Sequence, residues 1–319
     1  MSKVTPGSVI DRALRETASE PERKPKMSAM ARRRSLTGWA FIAPAAVLIF
    51  AMNFWPMIQA FILSFKTGRG NKLTLAEPLW YNYERLLHDD IFKQTLLTTL
   101  LYLIVQVPIM LGLAMVLANM LNSPSLRFRG MWRTAIFLPV ATSLVSYAIV
   151  FRTMFGTDGF INDLLTKLHI IDDPVNWLGQ TNTARGVIVL GLLWRWTGFN
   201  MILYLAALQN IAPGTHEAAK LDGAGPIRTF WSVTMPQMRP IILLTVIIST
   251  NGTIQLFDES YNLTAGGPAY TSMTMSHYLY EVSFHRNPNF GYGAAMSYVI
   301  LLLVAIFAAI QVRLGDKRD

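Results

Sequence analysis

Six long apolar segments constrain what this chain of 319 residues can fold into. The segments lie at residues 37–65, 95–121, 131–151, 184–209, 240–263 and 293–312. Crossing a hydrocarbon core of about 30 Å takes about 20 helical residues, so each segment is long enough to span a membrane. The sequence therefore predicts an all-α integral membrane protein with six transmembrane helices.

Composition supports a membrane protein and excludes several other classes. Only 15% of the residues are charged, whereas soluble proteins carry about 25%. There is no cysteine, so neither a disulfide nor a thiolate metal site can form. The net charge of +9 could indicate nucleic-acid binding. The basic residues, however, lie in the N-terminal segment and in alternate loops, which is typical of membrane topology, so we expect no nucleic-acid partner.

The distribution of basic residues also predicts orientation and domain organisation. Lys and Arg are about twice as frequent on the side that holds both termini, which places the termini in the cytoplasm. Residues 1–36 are polar and basic, and we expect a disordered cytoplasmic tail. Residues 37–312 then form one membrane domain with a cytoplasmic loop at 210–239, followed by a C-terminal tail at 313–319.

The loop at 210–239 carries the signals of a short helix. Pro213 and Thr215 are typical of a helix start, and Gly223 is typical of a helix end. The pattern predicts a helix of about two turns between them. Two small residues, Ala218 and Ala219, would let another backbone approach this helix closely.

A second amphipathic helix is predicted directly after the turn at Ala224–Pro226. Its apolar face would carry Ile227, Phe230 and Trp231, and we expect Pro236 and Pro240 to end it before the fifth span. The loop would then be a helix, a glycine elbow and a second helix. Physical reasoning alone leaves two interpretations open: a docking site for a soluble partner, or an ordinary helix pair at the membrane surface.

The spacing within this loop resembles a known signature. It consists of Glu-Ala-Ala, three residues, Gly, nine residues, Ile, one residue and Leu-Pro, and it is found in permease subunits of binding-protein-dependent ABC importers. The matching residues here are Glu217-Ala218-Ala219, Gly223, Val233 and Met235-Pro236. Val replaces Ile and Met replaces Leu, and both changes keep apolar character. The stretches at 137–139, 194–200, 205–208, 263–268 and 290–295 are similar to the maltose-type sugar branch of that family.

The resemblance implies a type I ABC importer permease fold and a set of partners. These would be two ATP-binding subunits, a second related permease chain and an extracytoplasmic solute-binding protein. The elbow would be the coupling helix that docks on the ATP-binding subunit, with Glu217 meeting a basic residue there. The predicted coupling residues are Glu217, Ala218, Ala219, Asp222, Gly223, Ala224 and Pro236.

Polar and aromatic side chains within the fourth and fifth spans are candidates for a substrate pathway, because polar groups inside a membrane are costly. The candidates are Arg195, Trp196, Phe199, Asn200, Ser249, Thr253 and Gln255. Aromatic faces and hydroxyl-matching side chains suit a sugar. Each candidate could instead join helices. For Asp258 and Glu259 we favour a solvated helix end.

The motifs of the common enzyme classes are absent from the sequence. It contains no Gly-Lys dipeptide and therefore no Walker phosphate loop, and its five histidines are scattered. We expect no catalytic residue, no metal site and no cofactor, with ATP and Mg²⁺ bound by a partner. The predicted function is import of a carbohydrate through the cell inner membrane. Two alternatives remain: the same machinery with a polyol or glycerol phosphate as cargo, and an ion-driven secondary transporter.

Overall fold

The computed structural model describes residues 29–69, 72–123, 125–285 and 287–315. Helices dominate this part of the chain, and one two-stranded hairpin accompanies them. The helices are α1 (Ala29–Ile49), α2 (Trp55–Ser64), α3 (Tyr81–His88), α4 (Asp90–Asn122), α5 (Arg129–Ala141), α6 (Leu144–Met154), α7 (Phe160–Lys167), α8 (Thr181–Gln209), α9 (Pro213–Leu221), α10 (Pro226–Thr229), α11 (Met235–Ile254), α12 (Asp258–Thr264), α13 (Met275–Phe284) and α14 (Phe290–Gly315). The strands are β1 (Lys66–Arg69) and β2 (Lys72–Leu75), which pair in antiparallel fashion.

The chain divides into two compact units, residues 1–59 and 60–319. The first unit contains α1, which begins at Ala29, inside the segment predicted as a disordered tail. Ala, Met and Arg favour helix, which accounts for this early start. The rest of the predicted tail, residues 1–28, lies outside the described residues, as do residues 316–319 at the other end.

Among the described residues, five continuous helices are long and apolar enough to cross a membrane, and a bent pair supplies a sixth candidate. The five are Ser35–Ser64, Asp90–Asn122, Thr181–Gln209, Pro226–Ile254 and Phe290–Gly315. The bent pair is α5 with α6. These spans match the six segments predicted from hydropathy, except that the third is bent and the fifth has different boundaries.

The core of the second unit forms around α4 and α8, which pack along each other. Tyr102, Met110 and Ala114 of α4 are buried, as are Ile188 and Met201 of α8. The N-terminus of α4 is held by the residue that precedes it, as described next.

Asp89 is the N-cap of α4 and joins it to two later helices. Its Oδ1 accepts hydrogen bonds from the backbone N–H groups of Ile91 (2.9 Å) and Phe92 (3.1 Å). Its Oδ2 accepts hydrogen bonds from the hydroxyls of Tyr278 (2.7 Å) and Tyr292 (2.6 Å). Burial raises the pKa of Asp89, but the hydrogen bonds from Tyr292, Tyr278 and the backbone N–H groups of Phe92 and Ile91 together outweigh it and hold the pKa below its ordinary value. The start of the second span is thereby tied to α13 and α14.

The third span, predicted at 131–151, is broken. α5 and α6 meet at 98°, with Thr142 and Ser143 between them. Pro139 lacks the N–H that would continue the α5 hydrogen-bond ladder. A broken helix leaves carbonyl groups unpaired, and inside a membrane these need a donor from another element. Arg195 of α8 supplies that donor, as described below.

Pro236 and Pro240 were predicted to end the second loop helix before the fifth span. This prediction is wrong, because that helix and the fifth span are one continuous helix. The helix runs from Pro226 to Ile254 and contains a π-helical segment at Phe230–Thr234. A proline ring clashes with the carbonyl four residues earlier in an α-helix. For Pro236 that carbonyl belongs to Ser232, which lies inside the wider π segment, so the helix passes the proline without a break.

The first span contains the same arrangement. A π segment at Phe50–Phe54 precedes Pro56, and it includes Met52, the residue four before that proline. The Trp55 N–H bonds to the Phe50 carbonyl. In both spans the π segment therefore lies where the proline ring would clash with the preceding turn.

The fifth span ends at Ile254, nine residues before the predicted end at residue 263. Residues 255–257 are not helical, and α12 begins at Asp258. The hydroxyl of Thr274 donates a hydrogen bond to the Leu256 carbonyl freed by this break. The break turns α12 back toward α6 and α8, against which it packs.

Candidate functional site

The first helix of the loop at 210–239 and the turn at Gly223 have the predicted form. α9 begins with Pro213 and ends at Leu221, and Gly223 adopts a left-handed backbone conformation with φ of 74°. The N–H of Gly223 bonds to the Lys220 carbonyl (3.0 Å), and the N–H of Ala224 bonds to the Ala219 carbonyl (2.9 Å). These bonds satisfy the last carbonyls of α9, and the positive φ explains the glycine.

The surface of the elbow combines exposed apolar side chains with two acids. Leu221, Ile227 and Trp231 are 89%, 76% and 62% exposed. Glu217 and Asp222 are exposed beside them. Exposed apolar groups flanked by charges are typical of a contact with a protein or with a membrane surface rather than of a free surface.

The structure brings most of the predicted coupling residues together. Glu217, Ala218, Ala219, Asp222, Gly223 and Ala224 lie in or directly after α9. Ala219 is buried, whereas Ala218 is exposed. Pro236 lies apart from them, at the start of α11.

A cavity of about 220 Å³ lies among α4, α6, α8, α11 and α12. Six of the seven predicted pathway residues line it. They are Trp196, Phe199, Asn200, Ser249, Thr253 and Gln255. The Trp196 and Phe199 rings lie edge to face, with centroids 6.3 Å apart, so the wall combines aromatic surface with polar side chains.

Two polar pairs organise the cavity wall. The Thr253 hydroxyl donates to Gln106 Oε1 (3.1 Å), which links α11 to α4. Asn200 Nδ2 donates to the Trp196 carbonyl (3.0 Å), and this fixes the orientation of the amide. Asn200 Oδ1 is consequently left without a hydrogen-bond partner among the described residues, although Asn200 is only 2% exposed.

Arg195 is the predicted pathway residue that does not line the cavity. It is buried, and its guanidinium lies against the break in the third span. Nη1 donates to the Thr142 carbonyl at 2.9 Å and Nη2 to the Val140 carbonyl at 3.4 Å. Arg195 therefore binds the free carbonyls at the end of α5.

The structure also adds residues that the sequence interpretation missed. Gln106 and Met110 of α4 line the cavity. Gln106 is a polar residue within an apolar span, so the rule that selected Asn200 would have found it as well. Asp258 and Glu259 line the cavity too, and Glu259 is 3% exposed, so the solvated helix end favoured for it is wrong. The helix break at residues 255–257 places both acids there.

Comparison with known proteins identifies a family. Residues 123–318 match the family described as binding-protein-dependent transport system inner membrane component. The chain is 46% identical to the lactose transport system permease protein LacF of Rhizobium radiobacter, over 91% of this chain and 98% of that protein. It is 32% identical to the arabinooligosaccharides transport system permease protein AraP of Halalkalibacterium halodurans, over 86% of each chain.

Solved structures share the fold. A chain of a bacterial ABC transporter that imports the acidic polysaccharide alginate aligns with a TM-score of 0.77 and 21% identity, covering 89% of this chain and 96% of that one. A chain of the alginate transporter in complex with a periplasmic protein bound to alginate pentasaccharide aligns with a TM-score of 0.74 and 21% identity. It covers 91% of this chain and 96% of that one. These matches confirm the predicted type I importer permease fold.

Proposed function

Because the chain belongs to the family of binding-protein-dependent transport system inner membrane components, we propose that it is the permease subunit through which an ABC importer passes a carbohydrate. The cavity carries this proposal. Aromatic rings and unpaired polar atoms within membrane-spanning helices suit a ligand with both C–H faces and hydroxyl groups. The relatives named for lactose and for arabinooligosaccharides support the same cargo class.

ATP is hydrolysed on a separate subunit in this proposal, and the present chain binds neither ATP nor Mg²⁺. The exposed acids and apolar side chains of the elbow supply the docking surface. Glu217 would pair with an Arg or Lys that rims a groove of the ATP-binding subunit, while Leu221 and Ile227 would enter the groove. A second permease chain would complete the pathway.

The cycle is alternating access. A solute-binding protein delivers the sugar to the outward-open pathway. Closure of the ATP-binding subunits moves the elbow, and the continuous helix from Pro226 to Ile254 transmits this movement to the cavity wall at Ser249 and Thr253. ATP achieves this by binding one conformational state more tightly than the other. Both termini lie in the cytoplasm, so the elbow faces the ATP-binding subunits.

The test is reconstitution. The complex co-purified through a C-terminal tag is placed in liposomes, with the solute-binding protein outside and ATP inside. We expect uptake of labelled lactose or an arabinose oligosaccharide only when both are present. Uptake that needs neither ATP nor a partner, and that an ionophore abolishes, would instead support an ion-driven transporter.

A further inference from the structure

A groove of about 730 Å³ runs between α11 and the end of α14. It is separate from the cavity among the spans, because the two share no described lining residue. Apolar side chains form most of its surface. The larger ones are Trp231, Met235, Ile242, Leu243, Val246 and Leu314. An open groove of this composition requires a ligand or partner with an apolar part.

The charge of the groove is positive. Arg239 is the single charged residue among the described residues that line it. Arg239 is exposed, and within the described part of the chain it forms no ion pair or hydrogen bond. The same is true of Arg228, three residues before Trp231, and of Arg313, next to Leu314. A guanidinium group pairs well with phosphate, so the groove favours an anionic ligand.

The order of side chains along the groove matches the order of groups in a phospholipid. Trp231 lies nearest the elbow, Arg239 follows about two turns later, and Ile242, Leu243 and Val246 lie beyond it. Trp and Arg are typical of the membrane–water boundary, where arginine side chains extend toward phosphate groups. The helix rises about 10 Å from Arg239 to Val246, which is within the hydrocarbon depth of one leaflet, about 15 Å. With the guanidinium at the phosphate level, the aliphatic side chains lie at the depth of acyl chains.

We infer that this groove binds an anionic phospholipid of the cytoplasmic leaflet, with the phosphate on Arg239 and an acyl chain along Ile242, Leu243 and Val246. The site goes beyond the proposed function and rests on it for orientation only, because the elbow end of the helix must face the cytoplasm. A zwitterionic phospholipid has the same acyl chains, but its ammonium group offsets the attraction between its phosphate and the arginine. The anionic headgroup is therefore bound more tightly.

The experiment labels the groove with two photoreactive lipids that differ only in headgroup. Phosphatidylglycerol and phosphatidylcholine carry the same diazirine-bearing acyl chain, and each is added at the same low fraction to phosphatidylcholine liposomes that contain the purified transporter complex. After irradiation, mass spectrometry of peptides measures labelling at each position. We expect phosphatidylglycerol to label residues 235–246 about fivefold more than phosphatidylcholine does, the effect of one basic residue near a membrane surface.

Other exposed positions of the same chain supply the internal control. Ile104 of α4 and Leu302 of α14 are exposed apolar residues that do not line the groove. Lipid that surrounds the protein without selection reaches such positions regardless of headgroup. Labelling at Ile104 and Leu302 should therefore be equal for the two lipids.

Variants connect the preference to Arg239. Arg239→Gln keeps a polar side chain and removes the charge, and we expect it to reduce the ratio to about twofold or less. Arg239→Lys keeps the charge and should keep most of the preference. Arg127→Gln removes an exposed charge of the loop before α5, outside the groove, and should leave the ratio unchanged. In the wild type, 1 M salt should also lower the ratio, because the Debye length falls to about 3 Å.

The outcomes separate this inference from the proposed function. Equal labelling of the groove by the two lipids would indicate unselective lipid only and would overturn the inference. Labelling of Ile104 or Leu302 without labelling of the groove would also overturn it, because a protein subunit would then cover the groove. A ratio that Arg239→Gln leaves intact rules out the phosphate contact. A complex that keeps the lipid preference but takes up no sugar would count against the proposed function instead.

Discussion

Arg195 Nη1 donates a hydrogen bond of 2.9 Å to the carbonyl oxygen of Thr142, at the point where the third span bends by 98°. The guanidinium also reaches the carbonyls of Val140 and Pro139. An arginine of the fourth span thus donates hydrogen bonds to backbone carbonyl groups of the third span. This contact makes a helix break tolerable at membrane depth.

We predict that Arg195→Met lowers the stability of the complex by about 1–3 kcal/mol, because it leaves buried carbonyls without donors. Thermal unfolding of the purified complex in detergent measures the effect. Arg195→Lys should restore part of the stability, since an ammonium group donates but cannot reach all three carbonyls in the same geometry. Arg152→Met, at an exposed position of α6, is the matched control. Unchanged stability in Arg195→Met together with a raised KM for sugar would show that Arg195 contacts substrate instead.

The second prediction concerns Glu217 in the elbow. We expect Glu217→Ala to weaken association with the ATP-binding subunit about tenfold, which corresponds to about 1.4 kcal/mol. The cause is loss of a charge-assisted contact at the docking surface. Titrating purified ATP-binding subunit against the permease pair measures it. Glu84→Ala removes an exposed acid from α3 and should have no effect. Wild-type association of the Glu217→Ala variant would contradict the docking role.

The third prediction concerns the turn at Gly223. Gly223→Ala should cost about 1 kcal/mol locally, because a side chain is strained at φ of 74°. An added Cβ would meet no neighbouring atom, so the strain comes from the backbone alone. We expect reduced sugar-stimulated ATPase activity with normal membrane insertion. Gly214→Ala is the control, since its Cβ also meets nothing and no positive φ is involved. Equal activity of the two variants would exclude a role for this backbone conformation.

The fourth prediction concerns Trp196 in the cavity wall. Trp196→Leu removes an aromatic face and should raise KM for sugar uptake about fivefold. Trp194→Leu changes the neighbouring tryptophan, which packs against Tyr147 and Phe151 and does not line the cavity. It should leave KM unchanged, whatever its effect on stability. A larger KM effect from Trp194→Leu would argue against the cavity as the sugar site.

The fifth prediction is a dependence of stability on pH through His277. Burial lowers the pKa of His277 from 6.5 to about 4, and its Nδ1 lies 2.9 Å from the Ser260 hydroxyl. Glu281 also faces His277, with its Oε1 at 3.9 Å from Nε2 of the imidazole. Between pH 6.5 and 4 the unfolded chain binds a proton that the folded chain does not. The stability contributed by neutral His277 is therefore complete above pH 6.5 and is lost as the pH falls toward 4.

Thermal unfolding of the complex between pH 7.5 and 4.5 checks this prediction, with a loss of up to about 3 kcal/mol attributable to His277. His277→Gln should flatten the profile in this range. His285→Gln, at an exposed position of the same segment, should leave the profile unchanged. A wild-type profile in His277→Gln would assign the pH dependence to another group.

Hydropathy predicted the spans because twenty apolar residues can do little else than cross a membrane or lie buried. The elbow followed from proline and glycine positions, since Pro213 and Gly223 have strong local preferences. The helix breaks involve contacts between residues distant in sequence. At the bend near Thr142 the contact comes from Arg195, and at the break after Ile254 it comes from Thr274. Local patterns contain neither contact, and the fifth span was predicted to end nine residues too late.

The residues of the candidate site were likewise predicted only in part. Asn200 and Thr253 were found because polar residues stand out in apolar spans. Glu259 was missed because its position depends on the turn at residues 255–257, which lies beyond the reach of helical periodicity. Arg195 was selected by the same rule as Asn200, and the structure shows that a polar residue in a span can equally serve the backbone of a neighbouring helix.

The π segment at Phe230–Thr234 has an effect at the far end of its helix. A π turn accommodates one residue more than an α turn, and each residue of an α-helix corresponds to a rotation of about 100°. The direction in which Ser249 and Thr253 face is thus set some twenty residues upstream, beside Pro236. Conversion of this segment to a regular α-helix at unchanged length would keep every side chain of the cavity wall in the sequence and rotate the wall by about 100°, away from the cavity. The π segment close to the elbow therefore determines which side chains of this helix face the cavity.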